Sequence, residues 1–160
     1  MTPSQWEQGR SPAHDLMQAD VADFLRQEEW DARQITFRGN KHDLMRFRVD
    51  VEFMLATDSG NILGFLDVVE WFGAKDTPRS AEFRWVDAYE LKPVISSAGA
   101  IIRQVQATEL AIERWGAAMK INMEIRVTPI VLIDDPNVPI LRRLWRGRLL
   151  CWDAAKKVLA

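Results

Sequence analysis

The chain has 160 residues, 48% of them hydrophobic and 28% charged, with a formal net charge of −2. This composition excludes a disordered chain and suits a single globular domain over residues 1–160 with a core of its own. One cysteine, Cys151, excludes an internal disulfide and a zinc site built on paired cysteines.

The longest apolar runs, such as Pro129 to Ile133, fall far short of the roughly 20 residues that cross a bilayer, and "MTPSQWEQGR" lacks a signal-peptide apolar stretch. No membrane segment and a cytoplasmic location are therefore expected. Ser11 and Pro12 read as the cap and first residue of a helix that runs to about Gln27, with Ala13, Leu16, Met17, Val21, Phe24 and Leu25 at helical spacing. Asp20 falls on that stripe, where a carboxylate needs solvent or a partner.

Residues 44–56 and 62–72 favour strands, and "TDSGN" between them supplies hairpin turn chemistry. Centring the turn on Ser59 and Gly60 sets Met54 opposite Phe65, Arg48 opposite Trp71 and Glu52 opposite Asp67. "GAKDTPRSAE" reads as a polar loop, and "FRWVDAYELKPVI" as a third strand ending around Pro93. Glu90 and Lys92 share one face of that strand because side chains alternate.

Ser97 is placed to cap a second helix with Ile101, Val105, Thr108, Ile112 and Trp115 on its buried stripe, and Gln104 falls on that stripe too. Ile121 to Ile133 reads as a further strand, Asp135 and Pro136 open a short helix closed by Gly147, "LLCWD" reads as a last strand, and "AAKKVLA" as a frayed terminal helix. The order predicts an α/β fold: a mixed sheet with an antiparallel three-strand unit, flanked by helices. The crossover over residues 97–120 is long enough to set the next strand parallel to the third.

The C-terminal part is basic, with Arg142, Arg143, Arg146, Arg148, Lys156 and Lys157 against Asp153. Such a group either holds phosphates or is a solvated helix face. His14 and His42 fall in different elements with no Ser or Cys placed as a nucleophile, and read as surface or capping residues. No Gly-rich phosphate loop is present, which argues against a nucleotide-dependent enzyme.

An acid-x-Lys tripeptide is weak evidence alone, but here Asp67 follows "ILGFL" on the middle strand, Glu90 and Lys92 lie on the next, and Gln104 lies on the helix after it. Over about residues 45–115 this order resembles the PD-(D/E)XK nuclease superfamily. "ELKP...S.G..IRQ" is similar to small stand-alone nuclease-like proteins of phages and mobile elements. The resemblance implies a restriction-endonuclease-like fold and an Mg²⁺- or Mn²⁺-dependent DNA nuclease, more readily an endonuclease. It places metal ligands at Asp67, Glu90 and the main-chain carbonyl of Leu91, with Lys92 beside the attacking water and Gln104 supporting the site. Leu66 stands where the superfamily's name-giving proline would be, and 22 residues separate Asp67 from Glu90.

Hard oxygen ligands of this kind suit Mg²⁺. Glu52, from the hairpin register, and Asp20, from the leading helix, are further candidate metal ligands. Arg142, Arg143, Arg146 and Arg148, with Lys75 and Arg79 in the long loop, are candidate DNA contacts. A homodimer would suit double-strand cutting, though no residue establishes one. Two alternatives remain open: a catalytically inactive protein of the same fold that binds DNA or a protein partner, and a plain α/β interaction domain.

Overall fold

The computed structural model describes residues 11–30, 33–37, 39–75 and 84–160. In chain order the elements are α1 (Pro12–Gln27), β1 (Arg33–Phe37), β2 (Asn40–Ala56), β3 (Ile62–Ala74), β4 (Arg84–Lys92), α2 (Ala98–Ala118), β5 (Met123–Leu132), α3 (Val138–Leu144), β6 (Leu150–Asp153) and β7 (Val158–Leu159). The strands form one seven-stranded sheet in sequence order. The fold is mixed α/β: β1 to β4 are antiparallel neighbours, β4–β5 and β5–β6 are parallel, and β7 turns back along β6.

The β2–β3 hairpin has the register that its turn dictates. Met54 pairs with Phe65, Arg48 with Trp71, Phe53 with Leu66 and Val51 with Val68. Gly60 supplies the left-handed turn residue at φ 87°, and Thr57 N donates to Asn61 O at 2.9 Å. The register shifts between Arg46 and Arg48 and again between Leu55 and Ala56, and Glu52 takes φ 52°, so β2 is irregular at three places along its length.

One sheet face buries α2 together with Val138 and Leu141 of α3, and the other buries α1. On one side Val69, Trp71, Val86, Ala88, Val127 and Val131 pack against Ile101, Val105, Ile112 and Trp115 of α2. On the other, Val68, Tyr89, Leu91, Ile130 and Trp152 pack against Met17, Val21, Ala22 and Leu25 of α1. Central β4 is buried on both faces, because helices cover the sheet on both sides. Side-chain oxygens cap both helices, Ser11 Oγ accepting from His14 N at 3.1 Å and Ser97 Oγ from Ala100 N at 3.3 Å.

The end of α1 is fastened to the sheet by Arg46. Its guanidinium donates to Leu25 O at 2.7 Å and Glu28 O at 2.8 Å, carbonyls left without helical partners, and to Glu70 Oε2 at 2.9 Å. Tyr89 donates its hydroxyl to the other oxygen of Glu70, so the buried carboxylate is fully engaged. Burial and the neighbouring Glu70 push the Tyr89 phenol far above its ordinary range, and it stays a donor.

Several expectations are corrected. The terminal "AAKKVLA" is a turn and β7: Asp153 Oδ1 accepts from Ala155 N at 3.1 Å and Lys156 N at 3.0 Å, and Lys157 at φ 53° reverses the chain. The stripe of α1 is rotated toward Met17, Gln18, Val21 and Leu25, leaving Leu16 65% exposed. α3 starts only at Val138, because Asp135 spends its carboxylate on Ile95 N and Asn137 N, both at 2.9 Å. Strand β1 had no predicted counterpart. Among the described residues no helix is long and apolar enough to cross a membrane.

Candidate functional site

The β3–β4 ladder ends at the pair Val68 and Tyr89. One step further the antiparallel register places Asp67 opposite Glu90, and both line a cleft of about 200 Å³ between the strand ends and α2. The strands part at this point: Asp67 turns its side chain into the opening, where Oδ2 accepts from Leu91 N at 2.9 Å. A carboxylate thereby replaces the next backbone partner of a buried amide.

Glu90 is 4% exposed and faces α2. Thr108 Oγ1 donates to its Oε1, and Gln104 Nε2 to its Oε2 at 3.2 Å. The carbonyl oxygen of Gln104 accepts from Lys92 Nζ, so one amide ties acid and amine together. Burial, and then the charge of Asp67, push the Glu90 carboxyl up to about 7, against the opposing pull of Thr108, Lys92 and His14.

Helix α1 supplies two side chains that the sequence reading did not place here. His14 Nε2 lies 3.3 Å from Asp67 Oδ1, and Gln18 Nε2 donates to Asp67 O at 2.8 Å. His14 is therefore no surface or capping residue: its side chain is 15% exposed, and its pKa is raised, chiefly by the hydrogen bond to Asp67. The readable signal was position, since His14 and Gln18 continue the buried face of Val21 and Leu25 toward the helix start.

The structure thus brings Asp67, Glu90 and Gln104 to one cleft, with Lys92 bonded to Gln104. The side chain of Leu91 points into the α1 core, so only its backbone faces this chemistry. Asp20 does not join: with the α1 stripe rotated, it lines a separate hollow with Leu16, Pro93 and Trp152. Glu52 lies between the pairs that flank Asp67, but its left-handed backbone takes it out of the regular alternation that the predicted pairing assumed.

Arg142, Arg143, Arg146 and Arg148 are exposed on and after α3, Arg142 also donating to Cys151 Sγ at 3.3 Å. They stand at the sheet end that carries the cleft: Lys92 pairs with Val131 on β5, and Asn137 Nδ2 donates to Ile95 O at 3.0 Å just past β4. Lys75 is exposed just beyond the opposite end of β3, eight positions from Asp67, roughly 26 Å along a strand. Arg79 lies outside the described residues.

Among the described residues no three His, Cys, Asp or Glu side chains form a ready cage for a metal. Mg²⁺ does not require one, since it takes one or two carboxylates and keeps several waters. Asp67 and Glu90 put two carboxylates on one cleft, a donor set of the kind Mg²⁺ takes, although Lys92 and His14 already bring positive charge beside them. Comparison with protein-family models, with curated proteins and with solved structures finds no match for this chain.

Proposed function

We propose that the protein is a Mg²⁺- or Mn²⁺-dependent nuclease that hydrolyses phosphodiester bonds in DNA, with the restriction-endonuclease-like fold that its sequence resembles. One observation carries this reading: Asp67 and Glu90 meet across the parting strands with Lys92 joined to Glu90 through Gln104. A cross-strand ion pair on a half-exposed face would account for an acid and a lysine, but not for a second, buried acid beside them.

Asp67 and Glu90 would hold the cation, with the Leu91 carbonyl as a main-chain ligand. When bound, the cation neutralises charge building on the scissile phosphate and acidifies water. Leu91 N and His14 fix Asp67, so its carboxylate needs little reorganisation. Gln104 holds the Lys92 ammonium near the acids, where it orients the attacking water against the phosphate. Glu90 carries a proton for part of the time near pH 7 and releases it before acting as a ligand.

Arg143 and Arg146 are proposed to contact phosphates beyond the cut. Replacing both by alanine is expected to lower the slope of log affinity against log salt by about two, without changing sequence preference. Fluorescence anisotropy with a labelled duplex at several salt concentrations measures it. An unchanged slope removes α3 from the interface.

Incubation of supercoiled plasmid with the protein and Mg²⁺ or Mn²⁺ tests the function, with nicked or linear product expected and none in EDTA. No cleavage with either ion on plasmid, single-stranded or branched DNA, together with DNA binding that survives EDTA and Lys92→Ala, would establish the inactive binding protein instead.

A further inference from the structure

Helix α2 carries a polar side chain that the nuclease reading leaves without a role. Thr108 falls between Val105 and Ile112 on the buried stripe, where valine, of the same branched shape, would serve the packing. A threonine hydroxyl inside a helix has an acceptor at hand, the carbonyl three or four residues back. Thr108 spends its single hydroxyl proton on Glu90 Oε1, across the cleft on the sheet.

That contact depends on how closely α2 approaches β3. Gly64 lies under the helix, where a Cβ would stand 3.7 Å from the Ala111 Cβ, and Ala107 and Ala111 line the cleft on either side of Thr108. With small residues on both surfaces, a short side chain reaches the acid. One turn earlier Gln104 donates to Glu90 Oε2 at 3.2 Å, so α2 supplies one donor to each oxygen. The last torsion of a glutamate is broad, and a single hydrogen bond would leave its carboxylate free to pivot. Two donors, one on each oxygen, fix its plane.

We propose that Thr108 is a positioning residue of the cation site: it locks the Glu90 carboxylate in plane, so that the acid meets the divalent ion already oriented. This role rests on the metal-dependent reading above and adds to it the side chain that sets the affinity of the ion. A hydroxyl that only satisfied a buried carboxylate would support stability and leave that affinity unchanged.

Electron paramagnetic resonance of free Mn²⁺, titrated into the protein without DNA, reads the affinity, and urea unfolding of each variant reads stability. Thr108→Val keeps the branched shape and removes the hydroxyl, while Thr108→Ser keeps the hydroxyl and removes the methyl group. Thr108→Val is expected to weaken Mn²⁺ binding about tenfold. Thr108→Ser is expected to bind as the wild type does, although it loses packing. Thr108→Ala removes the hydroxyl without demanding space, and gives the same comparison where valine prevents folding. Wild-type affinity in the variants without the hydroxyl, or a serine variant as weak as they are, overturns the proposal and leaves the acid pair as the site of the ion. A wild type that binds no Mn²⁺ at millimolar concentration overturns it together with the metal-dependent reading, so the two failures are distinguishable.

Discussion

Glu90→Gln and Lys92→Ala are each expected to lower Mg²⁺-dependent plasmid nicking by on the order of a thousandfold. Glutamine has the shape of glutamate and can still accept from Thr108, so the first substitution removes the anionic oxygen while leaving the cleft filled. Lys92→Ala removes the amine that Gln104 holds beside the acids and leaves Glu90 in place. Thermal unfolding of each variant alongside the wild type separates a lost charge from a lost fold. Nicking that continues undiminished in both variants would reject the assigned residues.

The second large effect is on stability, and it runs against the first. The Glu90 carboxyl sits at about 7 in the folded protein against an ordinary 4.5. The folded state therefore binds a proton that the unfolded chain has already released, and stability falls as pH rises through that interval. At about 1.4 kcal/mol for each pKa unit, the penalty present above pH 7 approaches about 3 kcal/mol. Glu90→Gln has no such penalty. It is expected to unfold at higher denaturant than the wild type at pH 8, by up to that amount, and to match it below pH 4.5. The same linkage predicts that Mg²⁺ raises the unfolding temperature of the wild type at pH 8 and leaves that of Glu90→Gln unmoved. Parallel stability curves for the two proteins from acid to pH 8 would remove the buried charge from the account.

Much of the sheet was legible because its signals are local. A five-residue turn with Gly60 fixes the hairpin register, and that register carries Asp67 to a known place. The step from Asp67 to Glu90 is longer, but alternation on β4 and the length of the crossover determine which face Glu90 shares and that β5 runs parallel. Rotation of a helix about its axis was harder to read. The predicted stripe held Met17, Val21 and Leu25 but widened toward Leu16, Phe24 and Asp20 instead of Gln18, which moved Asp20 to the metal and His14 to the surface. Only the partner surface decides, since Val68 and Leu91 accept Val21 and Leu25 and so bring His14 to Asp67. The C-terminal segment failed for a different reason: helix propensity in "AAKKVLA" is overridden by one side chain, Asp153, that ties the backbone into a turn.

Strand β2 is 17 residues long, yet β1 covers only Asn40 to Leu44 of its outer edge. The remainder would be a template on which another copy could add a strand and start self-propagating assembly. The register shift between Arg46 and Arg48, the charged Arg48, Asp50 and Glu52, and the left-handed φ of Glu52 interrupt that template. The backbone irregularity at Glu52 thus adds to what keeps this edge from pairing with another strand. A second copy that docks here must do so through side chains.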